Sequence, residues 1–391
     1  MLSDLIEKKL LWDCRNEDTE MKVIGVINSD LLLDELVENE SSIDITGNTI
    51  HIGTIDLPQP YFDDKDNRNK GFVLVKVLEF SCNYRDKAII IKASNKMRYG
   101  LEEETAPITY FGSDFVAEVV AVGPGVDELK VGDRVIPDCE YPDEPAPGVA
   151  PGVVTNEASK GWLRLHNKKL MKIGEEMSND LAAGYSIGGQ TSESMIRRAQ
   201  VKKSDRVLVL SARSNTSLFI TRGLLNRKID TTILTTSDWS EDERNSVLGV
   251  NFQQMDKSAG KWPDKLGKFD VIFDPFFDLH LGQAVEHLNV GGRYITCGYK
   301  NQHETFREDT DNNIQNNLHS IMMTTMINNL SIIGNCIGTT EDLKNSVQHL
   351  DVKNPPFVVD AKYTAYEADN FLNKTYNTRG RFGKVIMSYL D

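Results

Sequence analysis

The residues with the most concentrated chemistry lie in one turn, 211–217, which reads Ser-Ala-Arg-Ser-Asn-Thr-Ser. Ser211, Ser214, Thr216 and Ser217 bring hydroxyls, Asn215 an amide and Arg213 a guanidinium. Arg213 can contact a phosphate directly, and the hydroxyls and amide can hydrogen-bond one at a helix start. The same residues can instead cap the helix and fill the groove a phosphate would need. The surrounding elements frame both uses. Val207–Leu210 is an apolar β-type run, 218–227 is helix-length, and 231–235 is a second β-branched run. Strand, turn, helix and strand in this order form the βαβ unit that opens a dinucleotide-binding fold. In that fold the turn carries glycines, so that backbone N–H groups can approach a pyrophosphate. Here it carries none. The scaffold is present and the glycine fingerprint is absent.

The rest of the chain sets the frame. Its 391 residues predict two domains. A formal charge of −14 argues against nucleic acid or an anionic membrane as partner, since both favour a basic face. The longest apolar runs are strand-sized, which excludes a helical membrane span. The opening MLSDLIEKKLLWDC interrupts its apolar residues with charges, so no secretory signal is expected. Five cysteines (14, 82, 139, 297 and 336) form no CxxC pair, which suits reduced thiols in the cytoplasm.

Residues 1–70 are loosely patterned, with short strands expected at 21–28 and 49–55 and a solvated turn at 63–70. Residues 71–81 and 116–122 alternate at period two, and Gly123-Pro124-Gly125 and Val131-Gly132-Asp133 supply turns after the second. A charged loop is expected at 94–105. Short strands between turns predict a partly open antiparallel barrel. From residue 178 the period changes. Two helices broken near Gly188-Gly189 lead into alternating strands and helices, the pattern of a doubly wound parallel sheet.

Four stretches then carry a resemblance: GSDFVAEVVAVGPGVDELKVGDRV at 112–135, NDLAAGYSIGGQTSESMI at 179–196, GGRYITCGY at 291–299 and GRFGKVIM at 380–387. In this order and spacing they resemble the medium-chain dehydrogenase/reductase superfamily, over nearly everything after residue 70. The resemblance implies an α/β chain with a Rossmann-like doubly wound parallel sheet and a GroES-like antiparallel β-barrel. The expected divisions are an N-terminal extension at 1–70, a GroES-like catalytic domain at 71–175, a nucleotide-binding domain at 176–335 and a return to the catalytic domain at 336–391. It also implies an active site in the cleft between domains, and a homodimer.

Zinc alcohol dehydrogenases of this superfamily bind their metal with a Cys, a His-Glu pair and a second Cys or acid. Cys82 stands near the first position, but the Gly-His-Glu step is Gly112-Ser113-Asp114 here and no cysteine lies at 186–190. A catalytic zinc takes three protein ligands, so no metal is expected. Asn83-Tyr84-Arg85-Asp86 resembles a step found in the zinc-free quinone and enoyl reductases, and 161–187 resembles crotonyl-CoA-type reductases. Such enzymes pass hydride to a C=C bond conjugated to a carbonyl. On that basis Asn83 and Tyr84 can donate to the carbonyl oxygen, and Tyr84 can supply or relay the proton. Equally, Asn83 can turn the chain, Tyr84 can pack, and Arg85–Asp86 can be a structural ion pair. Cys82 is either a candidate catalytic thiol or a small buried hydrophobe.

The cofactor implied is NADPH. The second strand ends in Thr235-Thr236-Ser237 with no acid for the ribose hydroxyls of NAD, and Asp238 falls one step late. Thr236, Ser237 and Arg244 resemble NADPH-preferring relatives, although Arg244 equally suits an exposed helix position. Thr191, Gly298 and Lys384 match positions that approach the cofactor in the family. The leading expectation is therefore a cytoplasmic, zinc-free NADPH-dependent reductase acting on a small molecule or a peptide. The acceptor class is an α,β-unsaturated carbonyl, thioester, quinone or dehydroamino acid. The alternative is a binding protein that kept the fold and lost the nucleotide.

Overall fold

The computed structural model describes residues 14–28, 37–99, 107–255, 262, 264–306 and 313–390. Residues 1–13, where no secretory signal is expected, and 100–105 of the expected charged loop lie outside the described residues. The chain divides into two units: residues 1–138, 144–186 and 359–391, and residues 139–143 and 187–358. Residues 336–358 thus stay with the second unit, and the return begins later than expected.

Residues 14–60 form three strands where the sequence pattern suggests two short ones: β1 (Cys14–Ile27), β2 (Glu38–Ile45) and β3 (Asn48–Pro60). Thr46 and Gly47, both at positive φ, make the two-residue turn between β2 and β3, as a twisted hairpin requires. β4 (Phe72–Ser81) follows, then the helix Tyr84–Tyr99, β5 (Ile108–Thr109), β6 (Asp114–Val122), β7 (Arg134–Pro137), β8 (Trp162–His166) and β9 (Leu170–Lys172). The residues expected as loop at 94–99 are helical, because Asn83 and Asp86 start a helix that the following apolar run Ala88–Ile91 carries forward. The tight turn after β6 depends on Gly123, where a Cβ would stand 2.0 Å from the Asn69 carbonyl oxygen.

In the second unit the helix Ser186–Arg198 leads to β10 (Arg206–Val209), the helix Asn215–Asn226, β11 (Asp230–Thr235) and β12 (Asn251–Gln254). β13 (Phe269–Asp274), β14 (Leu288–Thr296) and β15 (Ser331–Gly334) complete its sheet. The helix break expected at Gly188-Gly189 falls instead at residues 183–185. Gly188 is inside the helix because Phe219 packs there; a Cβ would meet its ring at 2.5 Å. The strand order is β12-β11-β10-β13-β14-β15, every neighbour parallel. Counted within the unit, that is the dinucleotide-binding order with its topological switch between β10 and β13. Leu208, Leu210, Phe269, Ile272 and Tyr294 are buried together beneath it.

The chain returns as β16 (Val359–Thr364), the helix Ala368–Tyr376 and β17 (Lys384–Ser388). The first unit holds a four-stranded sheet, β2-β3-β1-β5, and a larger one in the order β16-β17-β4-β6-β7-β9, with β8 also on β4. Apart from the parallel pair β16–β17, its neighbours are antiparallel, and the C-terminal strands β17 and β16 extend this sheet beyond β4.

One buried carboxyl ties that tail down and sets a pH dependence. Glu79 on β4 is buried, and its Oε1 accepts from Lys362 Nζ at 2.6 Å and Ser388 Oγ at 3.3 Å. Lys362 Nζ also reaches Asp180 Oδ1 at 2.7 Å, while Glu79 Oε2 is buried with no partner. Burial pushes Glu79 from its ordinary value up to about 7; Lys362 opposes the rise and Asp180 adds to it. Because the folded value is raised, its contribution is fully present below the unfolded value near 4.5 and is lost as pH climbs through 7. Asp180, held down by Lys362, titrates below this window. Between pH 5 and pH 8 the wild type should lose on the order of 3 kcal/mol relative to Glu79→Gln. Denaturant unfolding at both pH values measures this, and parallel slopes would refute it.

Candidate active site

In the first unit the candidate catalytic step 82–86 sits where β4 runs into the helix Tyr84–Tyr99. Asp86, fully buried, reaches back to accept from the Asn83 N–H at 2.7 Å, satisfying a donor at the helix start. Its other contacts are Ser113 Oγ at 2.7 Å and Arg85 Nη1 at 3.3 Å. Burial pushes the Asp86 carboxyl up and the Arg85 guanidinium opposes it. Arg85 also donates to Asn156 Oδ1 at 2.8 Å, so Arg85–Asp86 is the structural pair of the two readings above.

Lys384, first residue of β17, is 1% exposed and ends in a polar cage. Its Nζ donates to Asn83 Oδ1 at 2.9 Å, Ser81 Oγ at 3.1 Å and Asp114 Oδ2 at 3.1 Å. Asn83 Nδ2 in turn donates to Asp114 Oδ2 at 2.9 Å and Ser113 Oγ at 3.2 Å. Every polar atom of the Asn83 side chain is thus engaged internally, with both amide hydrogens used. Asn83 therefore orients its neighbours and has no hydrogen left for a substrate carbonyl. Tyr84, half-buried, opens the helix from this fixed support. Lys384, expected at the cofactor, is an internal cation here. Its pairing with Asp114 spans most of the chain, and no local pattern announces it.

Cys82 is 3% exposed, and burial, with the Asp86 charge behind it, holds its thiol well above the usual range. It shares a hydrogen bond with Tyr376, whose Oη also donates to the Asn83 carbonyl oxygen at 3.2 Å. A buried, protonated thiol is no nucleophile. The expected candidate role for Cys82 in catalysis is replaced by packing. The positions that resemble a zinc site do not fit one: Ser113 bonds Asp86, Asp114 bonds a lysine, and the Cys82 thiol is held protonated. Among the described residues no three His, Cys, Asp or Glu side chains gather in a metal-binding group.

In the second unit the turn after β10 shows how a glycine-free sequence closes it. Ser211 takes φ +48, the left-handed conformation a glycine would otherwise supply. Ser214 caps the helix Asn215–Asn226, accepting from Ser217 N at 3.2 Å. Ser217 Oγ donates to the Leu210 carbonyl oxygen at 2.7 Å. These two hydroxyls are therefore part of the turn itself. Arg213 forms a bidentate pair with Glu243 at 2.8 and 2.6 Å, and also donates to the Asp238 carbonyl oxygen at 3.0 Å. The expected free phosphate-binding guanidinium is instead a strap from the turn to the loop after β11. Glu243 also completes the capping box of the helix Glu241–Asn245.

Asn215 Oδ1 is a buried acceptor with no partner, and Thr216 stands beside it in the helix's first turn. Thr236 and Ser237 are exposed at the end of β11. Arg244 is exposed too, its guanidinium 4.5 Å from the Phe252 ring centre, so its side chain is anchored and its charge open to solvent. Asp238, the next residue along the chain from Ser237, accepts from Gln254 Nε2 at 2.7 Å. Thr191 is buried in the helix Ser186–Arg198. Gly298 follows β14, where a Cβ would stand 2.9 Å from the Pro275 carbonyl oxygen. Asp274, at the end of β13, is fully buried and accepts from Tyr294 Oη at 2.6 Å and the Phe276 N–H at 2.9 Å. It fixes the turn at Phe276 from which the helix Phe277–Glu286 starts.

Comparison with known proteins agrees with this architecture. Residues 69–163 match the alcohol dehydrogenase GroES-like domain. The chain is 25% identical to glucose 1-dehydrogenase 2 of Vulcanisaeta moutnovskia over 308 residues, 73% of this chain and 82% of that protein. The solved structure of a 2-octenoyl-CoA carboxylase reductase from a Streptomyces species superposes with a TM-score of 0.68 at 16% identity, over 98% of this chain and 92% of that one. A cobalt- and zinc-bound thermostable alcohol dehydrogenase from Pyrobaculum aerophilum superposes with a TM-score of 0.66 at 17% identity, over 95% and 100%. Residues 69–163 thus carry an alcohol dehydrogenase GroES-like domain, and over most of its length the chain is similar to medium-chain dehydrogenase/reductases.

Proposed function

We propose that the protein is a zinc-free, NADPH-dependent reductase that delivers hydride to a C=C bond activated by a carbonyl. The observation that carries this reading is the caged Asn83. With Lys384, Asp114 and Ser113 saturating it, the adjacent Tyr84 is set on a rigid support beside a polar cluster that does not suit zinc. Bound NADPH would supply the hydride. The Tyr84 phenol would donate to the carbonyl oxygen as negative charge develops there and relay the proton that completes reduction. Thr236, Ser237 and Arg244 would hold the adenosine ribose and its 2′-phosphate, and the first turn of the helix Asn215–Asn226 the pyrophosphate.

Titration calorimetry with NADPH and NADH tests the cofactor. Micromolar NADPH binding, weakened about tenfold or more by Arg244→Ala with NADH unaffected, is expected. The closed Ser214–Ser217 turn and the Arg213–Glu243 strap favour a second reading, a binding protein without nucleotide, and absence of binding by either nucleotide would select it.

The same reading places the protein in the cytoplasm as a homodimer. Among the described residues no helix is long and apolar enough to cross a membrane. β15 ends the six-stranded sheet with Ile332 exposed, and Leu318, Met322, Met326 and Ile327 of the helix Asn313–Ile327 are exposed in the same unit. An open strand edge and an apolar helix invite a second copy of the chain. Sedimentation should give a dimer, and Met326→Asp with Ile327→Asp a monomer; a monomeric wild type would overturn this.

A further inference from the structure

Among the described residues of the first unit, Arg381 is a charge without a paired counterpart. It is half-buried, yet it makes no hydrogen bond or ion pair with any described residue. The chain carries 58 acidic against 44 basic residues, so a carboxylate partner would be easy to supply. The acid whose charge reaches Arg381, Asp360, is already paired with Lys374 at 2.8 Å. Burial lowers the affinity of Arg381 for its proton, while Tyr376, Asp360 and Cys82 work against that. Partly buried charges are ordinarily paired, and a guanidinium fork suits two oxygens of one anionic group.

Residues 377–383 join Tyr376 to Lys384, and both ends of that segment are bonded to Asn83: Tyr376 Oη to its carbonyl oxygen at 3.2 Å, Lys384 Nζ to its side chain at 2.9 Å. Gly380 and Gly383, at φ +83 and +88, set the backbone on either side of Arg381. Arg381 therefore lies on a short segment whose flanking residues, Tyr376 and Lys384, both bond Asn83, the residue before Tyr84. We propose that Arg381 binds an anionic oxygen group of the substrate, so that the acceptor is an activated alkene that also bears a carboxylate or a phosphate.

This rests on the reductase reading for Tyr84, and the test keeps the two apart. Two acceptors of one skeleton are compared, uncharged 3-penten-2-one and anionic 4-oxo-2-pentenoate, in the wild type and Arg381→Gln. Binding of 4-oxopentanoate, which cannot be reduced as an alkene, is measured by calorimetry. The expected result is a KM for the anionic acceptor raised about tenfold or more in Arg381→Gln, with the uncharged acceptor changed less than about twofold. Arg381→Lys should restore part of the loss. If 4-oxopentanoate binds the wild type and not Arg381→Gln while neither acceptor turns over, the anion site stands and the reductase reading falls. Equal losses on both acceptors, weakened NADPH binding in Arg381→Gln (the cofactor's phosphates being the anion), or no 4-oxopentanoate binding up to about 10 mM would each overturn the proposal.

Discussion

Lys384→Met should destabilise the first unit by about 3–5 kcal/mol, the cost of leaving one member of a buried ion pair alone. The ammonium is 1% exposed, and its removal strands the Asp114 carboxylate, itself fully buried, at the centre of the cage. Ser81 and Asn83 lose their shared donor at the same time. The loss should be selective. Lys384→Met combined with Asp114→Asn removes the orphaned charge and keeps an acceptor for Asn83 Nδ2, so it should recover most of the stability. Chemical unfolding of the two variants measures this, and an additive double variant would show that the pair does not interact as the distances indicate.

Tyr84→Phe should lower turnover about tenfold or more while leaving NADPH binding and stability close to wild type. The expected split follows from the arrangement around it. Asn83, with both amide hydrogens engaged, cannot stand in as donor, so the phenol has no understudy. The supporting bonds among Asp86, Ser113 and Lys384 do not involve the phenol, and the variant keeps them. Unchanged turnover would remove Tyr84 from the chemistry.

Much of the second unit was legible from sequence because its central strands are buried on both faces. Val207–Val209 and Phe269–Phe273 show as apolar runs whatever their neighbours are. β2 and β12 escaped notice for the opposite reason: ENESSIDI and NFQQ lie at sheet edges, mostly open to water, where no apolar period is needed. Gly188-Gly189 suggested a helix break because glycine weakens helices. At Gly188 the residue is there for lack of a side chain, which lets Phe219 approach. The candidate site divides in the same way. The residues 82–86 and the turn 211–217 are local patterns and could be found. Their partners could not: Lys384 lies 301 residues from Asn83, and Glu243 lies 30 from Arg213. Those pairings turned a presumed cofactor lysine into an internal cation and a presumed phosphate ligand into a strap.

The central claim, hydride delivery to an activated C=C bond, is tested most directly by isotope transfer. The protein is incubated with NADPH deuterated at the nicotinamide C4 position that is transferred, and with an enone acceptor, and the product is read by mass spectrometry and NMR. The account predicts one deuterium on the β-carbon of a saturated ketone, formed in step with NADPH oxidation and slowed in Tyr84→Phe. Deuterium on the carbonyl carbon of an allylic alcohol, or NADPH oxidation with no deuterium in any product, would contradict it.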